Sequence, residues 1–151
     1  MYNRGRYVGA FMVWVLLAGC GGGEVASSQS VSVNSRGLAL GGYDPLSYYQ
    51  NGPRVGNPDY RYDYWGGVFF FTSAINREKF ASSPETFLPQ YGGHCAFAME
   101  SGTLAEGDPK AYTLQHGKLY LNASPAVKHL WRWIGDVAES DAQWRRLAED
   151  H

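Results

Sequence analysis

Two pairs of strand-like segments, each joined by a glycine turn, constrain the fold of this chain more than any other feature. The segments are Tyr60–Tyr64 with Val68–Phe71, around Trp65-Gly66-Gly67, and Tyr112–Leu114 with Lys118–Leu121, around Gln115-His116-Gly117. Aromatic and β-branched residues bounded by glycine are typical of β-hairpins. Because a lone hairpin is only marginally stable in water, other elements must cover both of them.

Short helices are predicted around the hairpins. Ser73 predicts a helix cap before Ala74 to about Ser82, with Ile75 and Lys79 or Phe80 spaced to cover the first hairpin. Further helices are predicted at Pro45–Tyr49, at Pro84–Leu88, from Ser124-Pro125 through Ile134, and at Asp141–Ala148. No internal repeat is apparent. The predicted fold class is α+β, a small single domain with two β-hairpins packed against several short helices.

The N-terminus has the pattern of a lipoprotein signal peptide. Arg4 and Arg6 precede the apolar run Val8–Leu17, which is followed by Ala18-Gly19-Cys20. The alternative is a transmembrane anchor, but such a helix needs about 20 apolar residues. We therefore expect a signal peptide at residues 1–19 and acyl chains, palmitate among them, on Cys20. Residues 20–37, rich in Gly and Ser up to Ser35, are expected to form a flexible tether.

This pattern predicts a location in the bacterial cell envelope. The lipidated Cys20 would anchor the protein to a membrane, and Gly21 carries no inner-membrane retention charge, which favours the outer membrane facing the periplasm. The 13 basic residues include Arg4 and Arg6, so the mature chain has 11 basic against 14 acidic residues. This balance excludes the basic footprint of a nucleic-acid-binding protein. Of the 2 cysteines one is the lipid site, so no internal disulfide is expected.

Several motifs occur in a recognisable order along residues 38–147. They are Tyr43-Asp44-Pro45, the aromatic hairpin, Phe71-Thr72-Ser73 leading to Phe80, Pro84–Phe87, Tyr91–Ala96, Gly117–Asn122 and Trp131. Together they resemble the YHS domain family, in particular the longer group of YHS domain-containing (seleno)proteins, and set the domain at residues 38–151. The resemblance implies a metal-binding unit, since YHS modules occur on heavy-metal transport ATPases and some oxygenases.

The chain departs from the metal-associated pattern at the cysteine positions. Those modules carry a Cys-x-x-x-Cys pair at the hairpin-to-helix junction, where this chain has Thr72 and Asn76. A cysteine after the Tyr-Asp-Pro motif is replaced by Leu46 and Ser47. Soft thiolate ligation is therefore lost at those positions. The resemblance also aligns Cys95 with a position that is selenocysteine in some members, which implies redox or soft-metal chemistry there.

The segment Pro89–Met99 contains the only thiol that is free of the lipid site. Its apolar end predicts a short helix with Cys95 in the first turn, where unpaired N–H groups favour a thiolate. Cys95 and Met99, at i and i+4, share a helix face and are soft ligands suited to Cu(I). His94, His116 or His129 would complete a copper or zinc site. The predicted metal ligands are Cys95, His94, Met99 and His116.

Three other interpretations stay open at this stage. In the first, Cys95 and Met99 are ordinary core residues on the buried face of the helix. Cys95 would, in a thiol redox protein, react through a sulfenic acid or an external thiol, because no resolving cysteine exists. The third is a non-catalytic envelope interaction module using an exposed aromatic patch, whose partner is unknown and whose residues are Tyr43, Tyr60, Tyr62, Tyr64 and Trp65. The alternative for that patch is that these aromatic residues cover the core. For Asp44, helix capping is the alternative to a role as a metal-binding or acid/base carboxylate.

Overall fold

Two antiparallel hairpins form the frame of the fold, as the sequence predicts. The computed structural model describes residues 30–149. Strand β1 (Asn57–Tyr64) pairs with β2 (Gly67–Phe71), and β3 (Asp108–Gln115) pairs with β4 (Lys118–Asn122), as two separate two-stranded sheets. The predicted signal peptide, the lipidated Cys20 and most of the tether lie outside the described residues. None of the helices within residues 30–149 is long and apolar enough to cross a membrane.

Within residues 30–149, five α-helices pack around the hairpins. They are α1 (Ala74–Ser82), α2 (Pro84–Phe87), α3 (Ala96–Met99), α4 (Pro125–Ile134) and α5 (Val137–Glu149). Single 3-10 turns lie at Leu40–Gly42, Ser47–Tyr49 and Gln90–Gly93. The predicted α+β class with two hairpins and several short helices is confirmed.

Three local expectations need correction. The helix predicted at Pro45–Tyr49 is a 3-10 turn over Ser47–Tyr49, because Asp44 turns the chain before it. The last helix begins at Val137, four residues before the predicted Asp141, and Asp136 caps it by accepting the Glu139 N–H. Ile75 on α1 is 63% exposed, and only Phe80 of that helix covers the first hairpin.

The packed chain begins before the expected start at Leu38. Val31 is 4% exposed and belongs to the main core, and its N–H donates to the Trp65 carbonyl. The Ser32 N–H donates to the carbonyl of Gly92 at 2.9 Å. Residues 31–37 therefore belong to the folded domain, because their backbone bonds and one apolar side chain find partners that local composition does not reveal.

An internal repeat relates the two hairpins, although none is apparent from the sequence. Positions 51 residues apart, such as Gly66 and Gly117, have the same structural role. Strands β1 and β2 map without gaps onto β3 and β4, and both β1 and β3 contain a register shift beside a proline. Ser73 and Ser124 cap α1 and α4 by accepting the N–H three residues on, each at 3.2 Å.

The repeat extends to the segments before the hairpins. Leu40-Gly41-Gly42 and Tyr91-Gly92-Gly93 both have positive φ at all three residues. The Asp44 N–H donates to the Arg54 carbonyl, as the Cys95 N–H does to the Ala105 carbonyl. Aligned without gaps, residues 40–82 and 91–133 share only turn, cap and bulge residues, at Gly41/Gly92, Gly42/Gly93, Gly56/Gly107, Pro58/Pro109, Gly66/Gly117 and Ser73/Ser124. The chain thus folds as two units of one backbone design, with different side chains inside.

The core has two parts. The larger cluster lies mainly under the first hairpin, where Phe69, Phe71 and Phe80 are fully buried. The smaller cluster joins Tyr91, Met99, Tyr120 and Trp131 between the second hairpin and the last two helices. Phe80 and Trp131 are equivalent residues of α1 and α4, so each helix inserts one aromatic ring against its own hairpin.

Candidate functional site

Cys95 lies directly before α3 and is enclosed. Its side chain is 2% exposed, and its thiol donates to Asn122 Oδ1 at 3.7 Å. The same oxygen accepts the N–H of Phe97 at 3.3 Å. Cys95 is therefore the residue before a four-residue helix, not a member of its first turn as predicted. Because reactive thiols are usually partly exposed, this burial disfavours the redox interpretation.

The structure does not bring the four predicted metal ligands together. His94 and Cys95 form β-bridges to different segments, at Glu106 and Leu121, and their side chains meet different neighbours. The His94 ring lies 6.2 Å from the Trp144 ring, whereas the Cys95 thiol contacts Asn122. Met99 is fully buried in the smaller core cluster. Although His94 and Cys95 are adjacent in sequence, their side chains therefore lie in different environments.

The histidines occupy different environments. Burial lowers the pKa of His94 from its usual value of 6.5, while the nearby carbonyls of Ser30 and Ala105 oppose that shift. Neither ring nitrogen has a hydrogen-bond partner of good geometry, so the neutral ring is favoured. His116 is exposed in the tight turn of the second hairpin, and His129 is exposed on α4. Within residues 30–149, no three His, Cys, Asp or Glu side chains converge to hold a metal ion.

A buried polar network occupies the place where the resemblance implies paired cysteines. Asp44 is fully buried, and its Oδ2 accepts the Thr72 N–H at 2.8 Å, the Thr72 hydroxyl at 2.7 Å and Asn76 Nδ2 at 2.7 Å. Its Oδ1 accepts the Leu46 N–H at 2.8 Å. Asp44 therefore does more than the predicted helix cap. These groups satisfy one another and offer no thiolate, so they do not fit a soft metal ion.

The expected aromatic patch mostly covers the core. Tyr43, Tyr60, Tyr62 and Tyr64 are half-buried against the larger cluster, and Tyr62 and Tyr64 pack edge-on to Phe80. Of the predicted set only Trp65 is exposed, at 38%. These contacts fit the alternative of a covered core for the four tyrosines and leave Trp65 as the exposed member of the set.

Helix α4 carries an exposed apolar surface that the sequence interpretation missed. Leu130, Trp133 and Ile134, the α4 stripe, are 45%, 77% and 63% exposed. Trp131 on the adjoining face is 3% exposed and packs on Tyr120. At 3.6 residues per turn, the apolar arc from Trp133 to Trp131 spans about 160°, wider than one packing contact covers. The excess width of this arc was the feature of the sequence that could have indicated an exposed apolar surface on α4.

Comparison with known proteins identifies no relative of this chain: no family model, no curated protein and no solved structure matches it.

Proposed function

We propose that this protein is a lipid-anchored, non-catalytic protein of the bacterial envelope whose YHS-like domain lies on the membrane through the α4 stripe. The observation that carries the proposal is the exposure of Leu130, Trp133 and Ile134 beside a helix face already filled by Trp131. Large contiguous apolar surfaces on a folded domain mark contacts with a membrane or a partner.

The internal repeat supplies a control for the stripe. The positions equivalent to Leu130, Trp133 and Ile134 are Lys79 and Ser82 on α1 and Ser83 directly after it, all exposed. The same backbone design therefore accepts polar side chains at these positions. The shared backbone design therefore does not dictate the three apolar residues on α4, which supports a role in binding.

The composition of α4 favours a bilayer as the surface it contacts. The helix contains Lys128 and Arg132 and no acidic residue. His129 and Arg132 border Trp133 on one side, and the His129 and Trp133 ring centroids are 6.4 Å apart. A helix with Trp and aliphatic residues on one face and cations beside them is typical of the interface of an anionic bilayer.

The expected anchor holds the domain close to the membrane. Ser30 follows Cys20 by ten positions, and a chain of that length spans about 35 Å when extended. A domain of this size has a radius of gyration of about 14 Å, so its diameter is comparable to that reach. Tethering makes contact by α4 intramolecular, and each buried apolar side chain of the stripe would add about 1.5–3 kcal/mol.

The test uses the mature acylated protein in phosphatidylethanolamine–phosphatidylglycerol vesicles that contain acyl-brominated lipid. We expect bromine to quench Trp133 fluorescence, and Trp133→Phe to remove most of the quenchable emission. Ile134→Asp should reduce the quenching several-fold because it brings a charge into the contact. The matched control is Ile75→Asp, since Ile75 on α1 is also 63% exposed.

Two results would contradict parts of the proposal in different ways. If Cys20→Ser leaves acylation and membrane fractionation unchanged, the predicted anchor is wrong. If quenching is absent, or falls equally in Ile75→Asp and Ile134→Asp, the stripe does not contact the bilayer even where the anchor is present.

A second candidate is a Cu(I) site at Cys95, which rests on the resemblance and on one geometric observation. The Met99 N–H donates to the Cys95 carbonyl at 3.0 Å, so the two sulfur-bearing residues are one helical turn apart. The test is a Cu(I) competition titration of the protein and its Cys95→Ala variant, both checked for folding. Tight one-to-one binding lost in the variant supports the site, whereas equal binding in both proteins excludes it.

A further inference from the structure

A cavity between the first hairpin turn, the segment before Cys95 and helix α5 has an aromatic wall. It measures about 180 Å³, and its lining includes Trp65, Tyr91 and Trp144. The Trp65 and Trp144 rings meet edge to face with centroids 6.3 Å apart, and Tyr91 meets Trp144 in the same way at 6.2 Å. Leu88 and Pro89 extend the apolar part of the lining.

Two carboxylates face the same cavity. Glu85 accepts the Tyr64 hydroxyl at 3.0 Å, and Asp141 accepts the Tyr91 hydroxyl at 2.9 Å. The ion pairs found within residues 30–149 are Arg61–Asp63, Arg77–Glu78 and Arg146–Glu139, and none of them uses Glu85 or Asp141. Each carboxylate has about four lone-pair sites, so one tyrosine bond leaves its negative charge largely uncompensated.

We propose that this cavity binds a quaternary ammonium group, held against Trp65 and Trp144 with Glu85 and Asp141 supplying the opposite charge. Ring faces attract a cation through their quadrupole, and indole does so most strongly. The proposal uses no residue of the α4 stripe and does not depend on the contact of that stripe with the bilayer.

The lining chemistry distinguishes this ligand from other cations. Mg²⁺ and Ca²⁺ need several oxygen ligands in a close shell, whereas aromatic and aliphatic carbon makes up much of this wall. A primary ammonium would lose strong hydrogen bonds to water on entering beside Leu88 and Pro89. A methylated ammonium has no such bonds to lose, and its methyl groups pack on the rings.

The test is a calorimetric titration of choline into the full-length protein in maltoside micelles. The neutral control ligand is 3,3-dimethylbutan-1-ol, which has the shape of choline without its charge. We expect choline to bind and the alcohol to bind at least about fivefold more weakly. Asp141→Asn keeps the acceptor for Tyr91 and removes the charge, so it should weaken choline binding about fivefold to tenfold.

Further variants separate the cavity from general charge effects. Glu85→Gln and Trp65→Leu alter exposed lining residues and should each weaken choline binding severalfold. Asp59→Asn makes the same charge change on exposed β1 and should have no effect. Absence of choline binding, equal binding of the alcohol, or equal loss in Asp59→Asn and Asp141→Asn would overturn the proposal.

The ammonium group could belong to a free solute or to a phosphatidylcholine headgroup, and a competition experiment separates these sources. If phosphatidylcholine nanodiscs displace bound choline and phosphatidylglycerol nanodiscs do not, the cavity accepts the headgroup. If neither displaces it, the ligand is a free solute. Both results retain the quaternary ammonium site.

Discussion

At the scale of single residues, Asp44 shows how a short motif conceals a long-range network. The sequence places it before Pro45, where capping alone explains an aspartate. In the folded protein its carboxylate also joins Thr72 and Asn76, which are 28 and 32 residues away. All four groups bonded to its side-chain oxygens are donors, so only an acceptor with two free oxygens satisfies them.

We expect Asp44→Asn to lower the free energy of unfolding by about 2–3 kcal/mol, measured by urea denaturation. An amide has one acceptor oxygen, so in either orientation its NH₂ group faces a buried donor. The control is Asp63→Asn. Asp63 forms a surface ion pair with Arg61, and both side chains are more than half exposed. That change should cost no more than about 0.5 kcal/mol. Equal costs for the two variants would disprove the network's contribution.

Cys95 and His94 illustrate the limit of reasoning from adjacent residues. The sequence predicts both as ligands of one metal ion only if Gly93 keeps His94 outside the helix, since neighbours on a helix point about 100° apart. Whether neighbours share a site depends on the surrounding fold, and here the His94 ring lies near Trp144 while the Cys95 thiol contacts Asn122. Spacing alone could not reveal this, because the helix begins only at Ala96.

At the scale of elements, the segment 31–37 is held by a close backbone contact at Gly92. This residue has φ +61°, and a Cβ added there would lie 2.6 Å from the Ser30 carbonyl oxygen. Gly117 also has positive φ, at +74°, but a Cβ there would meet nothing within 4 Å. Comparing substitutions at these two glycines therefore distinguishes the cost of backbone strain from the cost of losing contact with the N-terminal segment.

Gly117→Ala should destabilise the fold by about 1 kcal/mol, the cost of a left-handed alanine. Gly92→Ala should cost about 1–3 kcal/mol more, because it also displaces Val31 and the bond from Ser32 to Gly92. Urea unfolding measures both changes. Trypsin cleavage after the exposed Arg36 gives a local readout, which should accelerate in Gly92→Ala only. Equal cleavage rates in the two variants would show that residues 31–37 are held elsewhere.

Helices α1 and α4 show which element properties are local. Their N-termini could be predicted because Ser73 and Ser124 supply cap acceptors within three residues. The sequence predicted the buried face of each helix less well than its start. Each helix buries chiefly one aromatic ring against its own hairpin, so few residues mark that face. Leu130 and Ile134 lie on the same apolar arc of α4 as Trp131, but they are exposed whereas Trp131 is buried.

At the scale of the whole molecule, the two units share a backbone and differ in chemistry. Asp44 and Cys95 are equivalent positions, one joined to Thr72 and Asn76 and the other to Asn122. The second unit also replaces the polar surface of α1 by the α4 stripe. The stripe that we propose as the membrane contact therefore belongs to the second unit alone.

The cavity proposed for a quaternary ammonium group exists only at this scale. Trp65 lies in the first hairpin turn, Tyr91 lies before Cys95, and Asp141 and Trp144 lie on α5. No spacing relates these residues, because three separate segments bring them together. The same holds for Val31, whose core position depends on the hairpin turn at Trp65.

By itself, the sequence determined the α+β class, both hairpins and the starts of α1 and α4. These features depend on residues within a few positions of one another, such as glycine turns and serine caps. Only the tertiary structure decided that the chain repeats, that Cys95 is enclosed away from His94, and that the α4 stripe stays uncovered. These properties depend on contacts between distant segments, where burial and direction are set by the surrounding packing and not by local spacing.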